Sequence, residues 1–411
     1  MSVKRPTVFW GNERVTHAAI IHTQQAETRQ RLPGTEPVLL VQDTTSFNFT
    51  HHPATGGLGR LENAFIQGFF AHSTLAVSQA GVPLGLIAQQ VWSRANDGVS
   101  LRDTRHSRAF EDKESYKWVK GLPEHDACVT APAYIIVCDA EAHIYEFLDE
   151  LVEQELDFIV RAADACSTTV DGQALFKAVS QQAVQQRFTL ELRRTPEREP
   201  RTAQMEMRFT TLTLKRPRRA AAQRETLTVG VVDVLEVDAP VGEKAVHWLL
   251  LTSLSVETVA DAQQVVRWYS YRWLVERFHY VLKSGCKLED SQLRHVDRLE
   301  RLLGVYSGVA WRLLWLTYLA RQTPDVACTV ALQPQEWQVL YVMTQRSHRL
   351  PTTPPSLRQA VRWIGQLGGF LGRQNDGEPG VKVLWRGWAR LQDFVLAWSI
   401  FHLPTKDVGD V

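Results

Sequence analysis

Two short apolar runs in the first half of the chain each lead into an aspartate. The run from Val38 to Val41 leads to Asp43, and the run AYIIVC at 133–138 leads to Asp139. Short continuous apolar runs are typical of strands that are buried on both faces. The pattern therefore predicts two buried strands, each with an aspartate at its end.

The remaining chain alternates between strand-like and helical patterns. Residues 69–94 contain two apolar stretches that flank Gly81, which predicts a hairpin. Helical periodicity follows Asp139 in AEAHIYEFLDELVEQE, residues 187–254 hold four strand-like runs, and the chain is mostly helical from Val256 onward. The sequence thus predicts a mixed α/β protein with a β-rich segment before a helical C-terminal part.

The stretch YSYRWLVERFHYVLKSGCK, residues 269–287, has amphipathic spacing. At 100° per residue, an arc of about 60° contains Tyr269, Arg272, Glu276 and Lys283. The opposite side carries the apolar residues Leu274, Val275, Phe278, Val281 and Leu282. This predicts one helix over 269–283 that ends at Ser284-Gly285. Because Arg272 and Glu276 are spaced as an i, i+4 ion pair, the polar arc by itself favours a solvent-exposed face.

The two strand-end aspartates add a second interpretation. A single such aspartate is commonly a helix cap or turn former, but Asp43, Asp139 and Glu276 together can place three carboxylates at one edge of a sheet. Hard oxygen ligands favour Mg²⁺ or Mn²⁺ over zinc, and two such ions support in-line phosphoryl displacement. Arg272 and Lys283 would hold phosphates beside them. The residues therefore predict metal-dependent chemistry on a phosphodiester backbone.

Bulk composition narrows the class of protein. The net charge of the 411 residues is only +1, so nucleic-acid binding must come from local patches. One candidate patch is 187–224, with eleven basic and four acidic residues, although a solvated face explains it equally well. The five scattered cysteines form no CxxC pair, and there is no secretory signal and no uncharged apolar stretch long enough for a membrane span. A cytoplasmic protein without a membrane partner is expected.

The helix residues also carry a family pattern. Tyr269-x2-Arg272-x3-Glu276-x6-Lys283 resembles the Y-R-E-K signature of bacterial DDE transposases of the insertion-sequence-four family. VQDTTSFNFTHH resembles the family's first-aspartate strand and VCDAEAHIYEFL its second, and LGGFLGR followed by LWRGWARLQD resembles its C-terminal segment. The resemblance spans the chain from about Phe9 to Trp398.

The resemblance implies an α/β, ribonuclease-H-like mixed sheet with a β-rich insertion domain and a C-terminal helical region. The first aspartate would lie on the first strand and the second on the fourth. The implied domains are a remnant helical lead-in at 1–36, the catalytic domain at 37–165 and 256–321, the insertion at 166–255, and a helical dimerisation region at 322–411.

The resemblance also implies roles for individual residues. Asp43, Asp139 and Glu276 correspond to the catalytic triad that holds two Mg²⁺ or Mn²⁺ ions. Tyr269, Arg272 and Lys283 correspond to residues that grip the transposon end. Trp248 and Trp273 correspond to aromatic residues around a flipped base, although the position of Trp248 in an apolar run favours an ordinary core residue when taken alone.

The implied reaction is cut-and-paste transposition through strand nicking, hairpin formation, hairpin resolution and strand transfer. The implied partners are transposon-end DNA, target DNA and a second copy of the chain. The C-terminal helix with Trp388 and Trp398 is the candidate dimer contact, unless these side chains are buried within their own domain.

The sequence departs from the family at its start. Full-length relatives carry a helical DNA-binding region before the stretch that here begins at Phe9. Three interpretations follow: a misassigned start or truncated gene, a shortened inhibitor-like regulator that dimerises with the full-length enzyme, or end binding by the remaining basic surfaces. A metal-dependent nuclease that cuts DNA without joining it is a further alternative.

Overall fold

The computed structural model describes residues 9–63, 65–94, 108–123, 132–163, 167–192, 199–374 and 376–401. The chain forms two compact units. One is Ile21–Glu276, here called the sheet unit, and the other combines Met1–Ile20 with Arg277–Val411 and is called the helical unit.

The sheet unit is built on one mixed sheet that holds ten of the described strands. Its order is β2-β3-β1-β5-β6-β10-β9-β8-β7, with β4 paired to β3. The strands are β1 Val38–Asn48, β2 Gly59–Arg60, β3 Gln67–Val77, β4 Pro83–Trp92, β5 Tyr134–Cys138, β6 Asp157–Arg161, β7 Gln186–Leu192, β8 Arg201–Lys215, β9 Thr226–Val237 and β10 His247–Thr252. Strands β1, β5 and β6 run parallel to one another, and the other pairings are antiparallel.

Helices accompany the sheet and fill the second unit. Those of the sheet unit are α2 Lys117–Lys120, α3 Tyr145–Glu153, α4 Leu175–Ser180 and α5 Val259–Ser270. Those of the helical unit are α7 Val296–Gln322, α8 Pro334–Gln345, α9 Leu357–Leu367 and α10 Val381–Phe401. The unit boundaries fall within α1 His17–Arg31 and α6 Trp273–Tyr280.

The core of the sheet unit explains why the parallel strands read as continuous apolar runs. Leu40, Ile136 and Phe158 point to one face and belong to a cluster that includes Phe147 of α3 and Trp118 of α2. Leu39, Val41, Ile135, Val137 and Ile159 alternate with that face and are also buried. Each such side chain contributes about 1.5–3 kcal/mol when buried, so both faces stabilise the strands.

Several predicted elements are confirmed, and one boundary is wrong. The hairpin around Gly81 is the β3–β4 pair, and helix α3 follows Asp139. Asp43, however, is not at the end of its strand, because β1 continues to Asn48 by pairing with β3. Only the parallel pairing of β1 with β5 stops earlier, at Val41.

The single helix predicted over 269–283 is also wrong. Helix α5 ends at Ser270, a turn at Tyr271 and Arg272 follows, and α6 then runs to Tyr280 and continues into a π-helical turn, Val281–Gly285. The backbone N–H of Arg272 still donates to the Tyr269 carbonyl at 2.9 Å, so the turn is tight. The predicted apolar face is confirmed, since its five residues are at most 1% exposed. The predicted stop at Gly285 coincides with the end of the π turn.

The β-rich segment continues the sheet. Strand β10 pairs antiparallel with β6, and β9, β8 and β7 follow in order. The domain boundaries drawn from the sequence stay a prediction; the observed feature is a ladder without interruption from β1 to β7.

In the helical unit, residues 9–20 pack on helix α7. The Arg301 guanidinium donates to the carbonyls of Trp10 and Val15 and pairs with Asp297. Helix α7 is long and apolar enough by composition to span a membrane, but half of its most apolar window is buried, as in the core helix of a soluble protein. The described cysteines, Cys138, Cys286 and Cys328, are free and buried, while positions 128 and 166 lie outside the described residues.

Candidate active site

Three ionisable side chains occupy one row across the parallel strands. Val41 of β1 pairs with Val137 of β5, so Asp43 and Asp139 stand two residues further along neighbouring strands. Cys138 pairs with Val160 of β6, which places Arg161 beside Asp139. Parallel neighbours lie about 4.8 Å apart, and side chains in one row share a face. The row therefore places Asp43, Asp139 and Arg161 at neighbouring positions of adjacent strands, where β5 and β6 end.

Asp139 is held by the first turn after its strand. Its side chain accepts a hydrogen bond from the Glu141 backbone N–H at 2.9 Å, as a cap of the short helix Ala140–Ala142. Lys117 of α2 contacts the Glu141 carboxylate at 3.3 Å. One Asp139 oxygen is thus oriented by backbone, and a cation stands beside the same turn.

Arg272 joins the first aspartate to the predicted glutamate. Its Nη1 lies 3.9 Å from Asp43 Oδ2, and its Nη2 forms an ion pair with Glu276 Oε1. The break between α5 and α6 places this side chain, because Arg272 belongs to the turn rather than to a continuous helix. Side-chain exposure is 19% for Arg272 and 51% for Glu276, so the glutamate faces solvent while the arginine is largely enclosed.

Burial disfavours the charged forms of Asp43, Asp139 and Arg272, and neighbouring groups compensate in part for the two aspartates and fully for Arg272. Burial raises the pKa of Asp43 to about 7, Arg272 and the Thr44 N–H oppose the rise, and Asp139 and Glu276 add to it. Burial also raises the pKa of Asp139, against the Glu141 N–H and the charges of Arg272 and Lys117. Burial lowers the pKa of Arg272, but Glu276, Tyr269 and Asp43 more than offset this and hold it above its usual range.

The donor set fits a hard divalent cation in its chemistry. Two adjacent carboxylates repel each other. A bound cation would lower the raised pKa of Asp43 and so favour its ionised form. In the described part of the chain, no three His, Cys, Asp or Glu side chains are close enough to form a complete ligand group. Glu276 is engaged by Arg272. The roles of Asp43, Asp139 and Glu276 as metal ligands stay predictions.

Tyr269 and Trp248 lie together rather than on an exposed arc. Tyr269 is the penultimate residue of α5 and is 3% exposed, contrary to the predicted polar face. Its ring stands edge-on to Trp248 of β10, with centroids 5.5 Å apart. Its hydroxyl hydrogen-bonds with Arg161, and burial raises its pKa.

Arg161 is the site residue that sequence reasoning missed. The available signal was its position, since it ends the apolar strand DFIVR in the same way that aspartates follow the two earlier runs. It contacts Tyr269 and stands in the row of Asp139. A cation at that place adds to the phosphate-binding capacity supplied by Arg272.

Two further predicted residues are described by their own surroundings. Trp273 begins α6 and is 37% exposed. Lys283 lies half-buried in the π-helical turn of the helical unit, and its charge lowers the pKa of buried His279, for which burial is the larger cause. The roles of both residues stay predictions.

The arginine-rich segment is largely neutralised by local partners. Its described arginines with carboxylate partners are Arg187, Arg201, Arg208, Arg216 and Arg224. These ion pairs within the unit favour the solvated-face interpretation over a free basic surface.

Comparison with known families matches these observations. Residues 107–309 match the model of the transposase DDE domain, and residues 308–400 match that of the transposase Tn5 dimerisation domain. Together the two matches support a DDE transposase. The mixed sheet and C-terminal helices confirm the predicted ribonuclease-H-like architecture.

The matched domains also indicate the broad chemistry. A DDE transposase domain cleaves and transfers DNA, and such domains generally use divalent metal ions. The two matches thus suggest a DNA substrate and dimer formation. Asp43 precedes the DDE match, whereas Asp139 and Glu276 lie within it.

Proposed function

We propose that this protein is a cut-and-paste DNA transposase that nicks the transposon end, forms and resolves a hairpin, and transfers the freed strand to target DNA. The observation that carries the proposal is the row of Asp43, Asp139 and Arg161 with Arg272 beside it. Carboxylates and guanidinium groups at the ends of neighbouring strands suit a reaction that breaks and forms phosphodiester bonds.

In this proposal Asp43 and Asp139 hold the divalent ions, with Glu276 as the third ligand. Bound Mg²⁺ or Mn²⁺, two ions per site, supplies activation of a water or 3′-hydroxyl and stabilises the leaving oxygen. The Glu141 N–H fixes one oxygen of Asp139, leaving the other available. Each step is the same in-line displacement, so the same three carboxylates serve all of the steps.

The neighbouring residues position the DNA. Arg272, enclosed beside Asp43, suits a phosphate next to the scissile bond, and Arg161 with the Tyr269 hydroxyl suits the following one. Trp248 stands against Tyr269 and offers the aromatic surface on which a flipped base would stack, with Trp273 as a second aromatic and Lys283 as a further phosphate contact. Stacking offsets part of the energy needed to flip a base out of the duplex.

The test uses duplex oligonucleotides taken from the DNA that flanks the gene, with Mg²⁺ or Mn²⁺. We expect nicked, hairpin and joined products on a denaturing gel, and their loss with a chelator. Cleavage without hairpins or joining would instead indicate a nuclease.

The alternative that the protein is a shortened regulator is also consistent with the dimerisation domain, but it predicts different reaction products. A regulator would yield no products alone and would lower the yield of an active relative when the two are mixed. Products from this chain alone would exclude that role as its sole function. A cytoplasmic location stays part of the proposal.

A further inference from the structure

A basic groove lies beside the catalytic row in the sheet unit. It has a volume of about 690 Å³ and is bounded by the end of β4, helix α2 and the short helices before α2. Six basic and three acidic side chains line it, together with Trp92 and Tyr116. That volume is within the range of ligand sites, about 300–1,000 Å³, and the excess of cations favours an anionic occupant.

Part of this charge is used within the protein. Arg94 donates two hydrogen bonds of 2.9 Å to Glu114 and a third to the Leu61 carbonyl, so it serves mainly to hold the groove wall. Lys120 lies 5.8 Å from the centre of the Tyr116 ring. Among the residues that the structure describes, Arg108 and Lys113 have no carboxylate within ion-pair distance. These two cations are available to a ligand.

Lys117 joins the groove to the catalytic row. It lines the groove, lies 3.3 Å from the Glu141 carboxylate and reaches Asp139 electrostatically. Its Nζ also lies 5.9 Å from the centre of the Trp92 ring. Lys117 therefore links the lining of the groove, which includes Arg108 and Lys113, to the turn that carries Asp139.

We propose that this groove holds backbone phosphates of the DNA beyond the scissile phosphate, with Arg108 and Lys113 as the outer contacts. The inference rests on the proposed transposase function and adds to it a path for DNA away from the active site. Two sources share this chemistry: the donor DNA that flanks the transposon end before cleavage, and the target DNA at joining. Lysine and arginine contacts to phosphates are sequence-independent, which suits either source.

The experiment compares Arg108→Ala/Lys113→Ala with Lys177→Ala/Lys244→Ala, which removes two exposed lysines of the same unit outside the groove. Binding is measured over a salt series in three arms: end DNA with flank, pre-cleaved end DNA without flank, and target duplex offered to the pre-cleaved complex. Thermal melting checks that both variants are folded.

For the groove variant we expect the salt slope to fall by about 2 in the flanked or the target arm, about 0.9 for each lost phosphate contact. The arm that changes identifies the source. The pre-cleaved arm and the control variant should keep wild-type slopes. Unchanged slopes in both the flanked and the target arms would overturn the inference.

The two proposals fail differently. If wild-type protein does not cut or join DNA, the transposase proposal fails, although the salt slope on uncut duplex still tests the groove. If wild-type protein reacts and the groove variant retains its slopes, only the groove inference fails. Arg108→Ala/Lys113→Arg should lose only about one unit of the slope, because it retains one of the two cations.

Discussion

At the scale of single residues, burial makes it unfavourable to ionise the two aspartates of the site. Asp43 and Asp139 are next to one another in the sheet, and the protein supplies Arg272 and one backbone N–H to each in partial compensation. This leaves an unfavourable balance that a divalent cation would correct.

Asp139→Ala should abolish cleavage of a pre-nicked end while leaving the protein folded, because its carboxylate is proposed to bind the metal. Asp157→Ala is the matched control. Asp157 begins β6, at the opposite end from Arg161, and its side chain accepts a hydrogen bond from Ser253. Cleavage on a gel and thermal melting provide the measurements. Wild-type cleavage by the Asp139 variant would remove that residue from the metal site.

Asp43 should make metal-free protein less stable as the pH rises. Its pKa is raised from 3.8 to about 7, so the folded state retains the proton more strongly than the unfolded state. The stabilisation is complete below about pH 4 and is lost as the pH rises to about 7, with a total of about 4 kcal/mol at most. Chemical unfolding from pH 4 to 8 with a chelator measures it.

Two comparisons check the cause of that slope. Asp43→Asn should flatten the pH dependence, and Mg²⁺ should raise the melting temperature of wild type at pH 7.5 but have little effect on the variant. An identical pH profile for the two proteins would show that other groups produce the slope.

Arg272→Ala should weaken the complex with transposon-end DNA and reduce its salt slope by about 1. The guanidinium is enclosed beside Asp43 and would contact a phosphate there. Lys283→Ala should act similarly if that lysine reaches the same DNA, and Arg277→Ala, whose side chain lies over the Tyr280 ring, serves as control. A salt slope equal to that of wild type for the Arg272 variant would favour the alternative that this region is an ordinary solvent-exposed surface.

At the scale of elements, the break between α5 and α6 determines where the arginine points. Helix α5 starts at a capping box formed by Thr258 and Asp261 and ends beside Tyr269. The turn that follows contains Tyr271, whose ring packs against Gly81 in the β3–β4 hairpin. The hairpin and the turn thus support each other, and Arg272 is adjacent to that contact.

Gly81→Ala should disturb this contact. Gly81 has a φ of +82°, and an added Cβ would lie 2.8 Å from Tyr271 Cε1. We expect a loss of about 1–3 kcal/mol in the free energy of unfolding, together with weaker end binding.

Gly242→Ala separates the two contributions, because Gly242 has a φ of +89° and nothing within 4 Å of the added Cβ. It should show the backbone strain alone and leave DNA binding unchanged. Equal effects of both variants on stability and binding would show that the Tyr271 contact does not matter.

At the scale of the whole molecule, the second family match makes the C-terminal helices the expected dimer surface. Trp388 and Leu391 of α10 are buried within the helical unit, so the predicted contact through Trp388 gives way to the alternative that it is a core residue. Leu396, Ile400 and Phe401 on the same helix are 58–84% exposed. Exposed apolar side chains grouped at one helix end favour association.

Leu396→Glu/Ile400→Glu should convert the dimer into a monomer and abolish joining of two ends. The charges would replace apolar contacts with unpaired carboxylates at the interface. Light scattering coupled to gel filtration should show a mass near 46.7 kDa for this variant. Val241→Glu, at a fully exposed apolar position of the sheet unit, should remain dimeric; a dimeric Leu396/Ile400 variant would place the interface elsewhere.

Much of this protein could be predicted from sequence because short-range patterns reflect burial directly. The apolar runs before Asp43 and Asp139 predicted buried strands, and the spacing of residues 274–282 predicted the buried side of a helix. Two strand-end aspartates together with the glutamate and cations of residues 269–283 predicted phosphoryl chemistry, since clustered carboxylates need cations between them.

Only the tertiary structure decided which residues meet. The register of β5 with β6 placed Arg161 beside Asp139, and no local pattern encodes a pairing between strands that are separated by a helix. The same applies to the break at Tyr271, where the ring lies against Gly81 of a distant hairpin and a sequence that is helical by periodicity is interrupted. Periodicity is set by neighbours along the chain, whereas the alignment of charges is set by contacts between distant segments, and so it appears only in the folded protein.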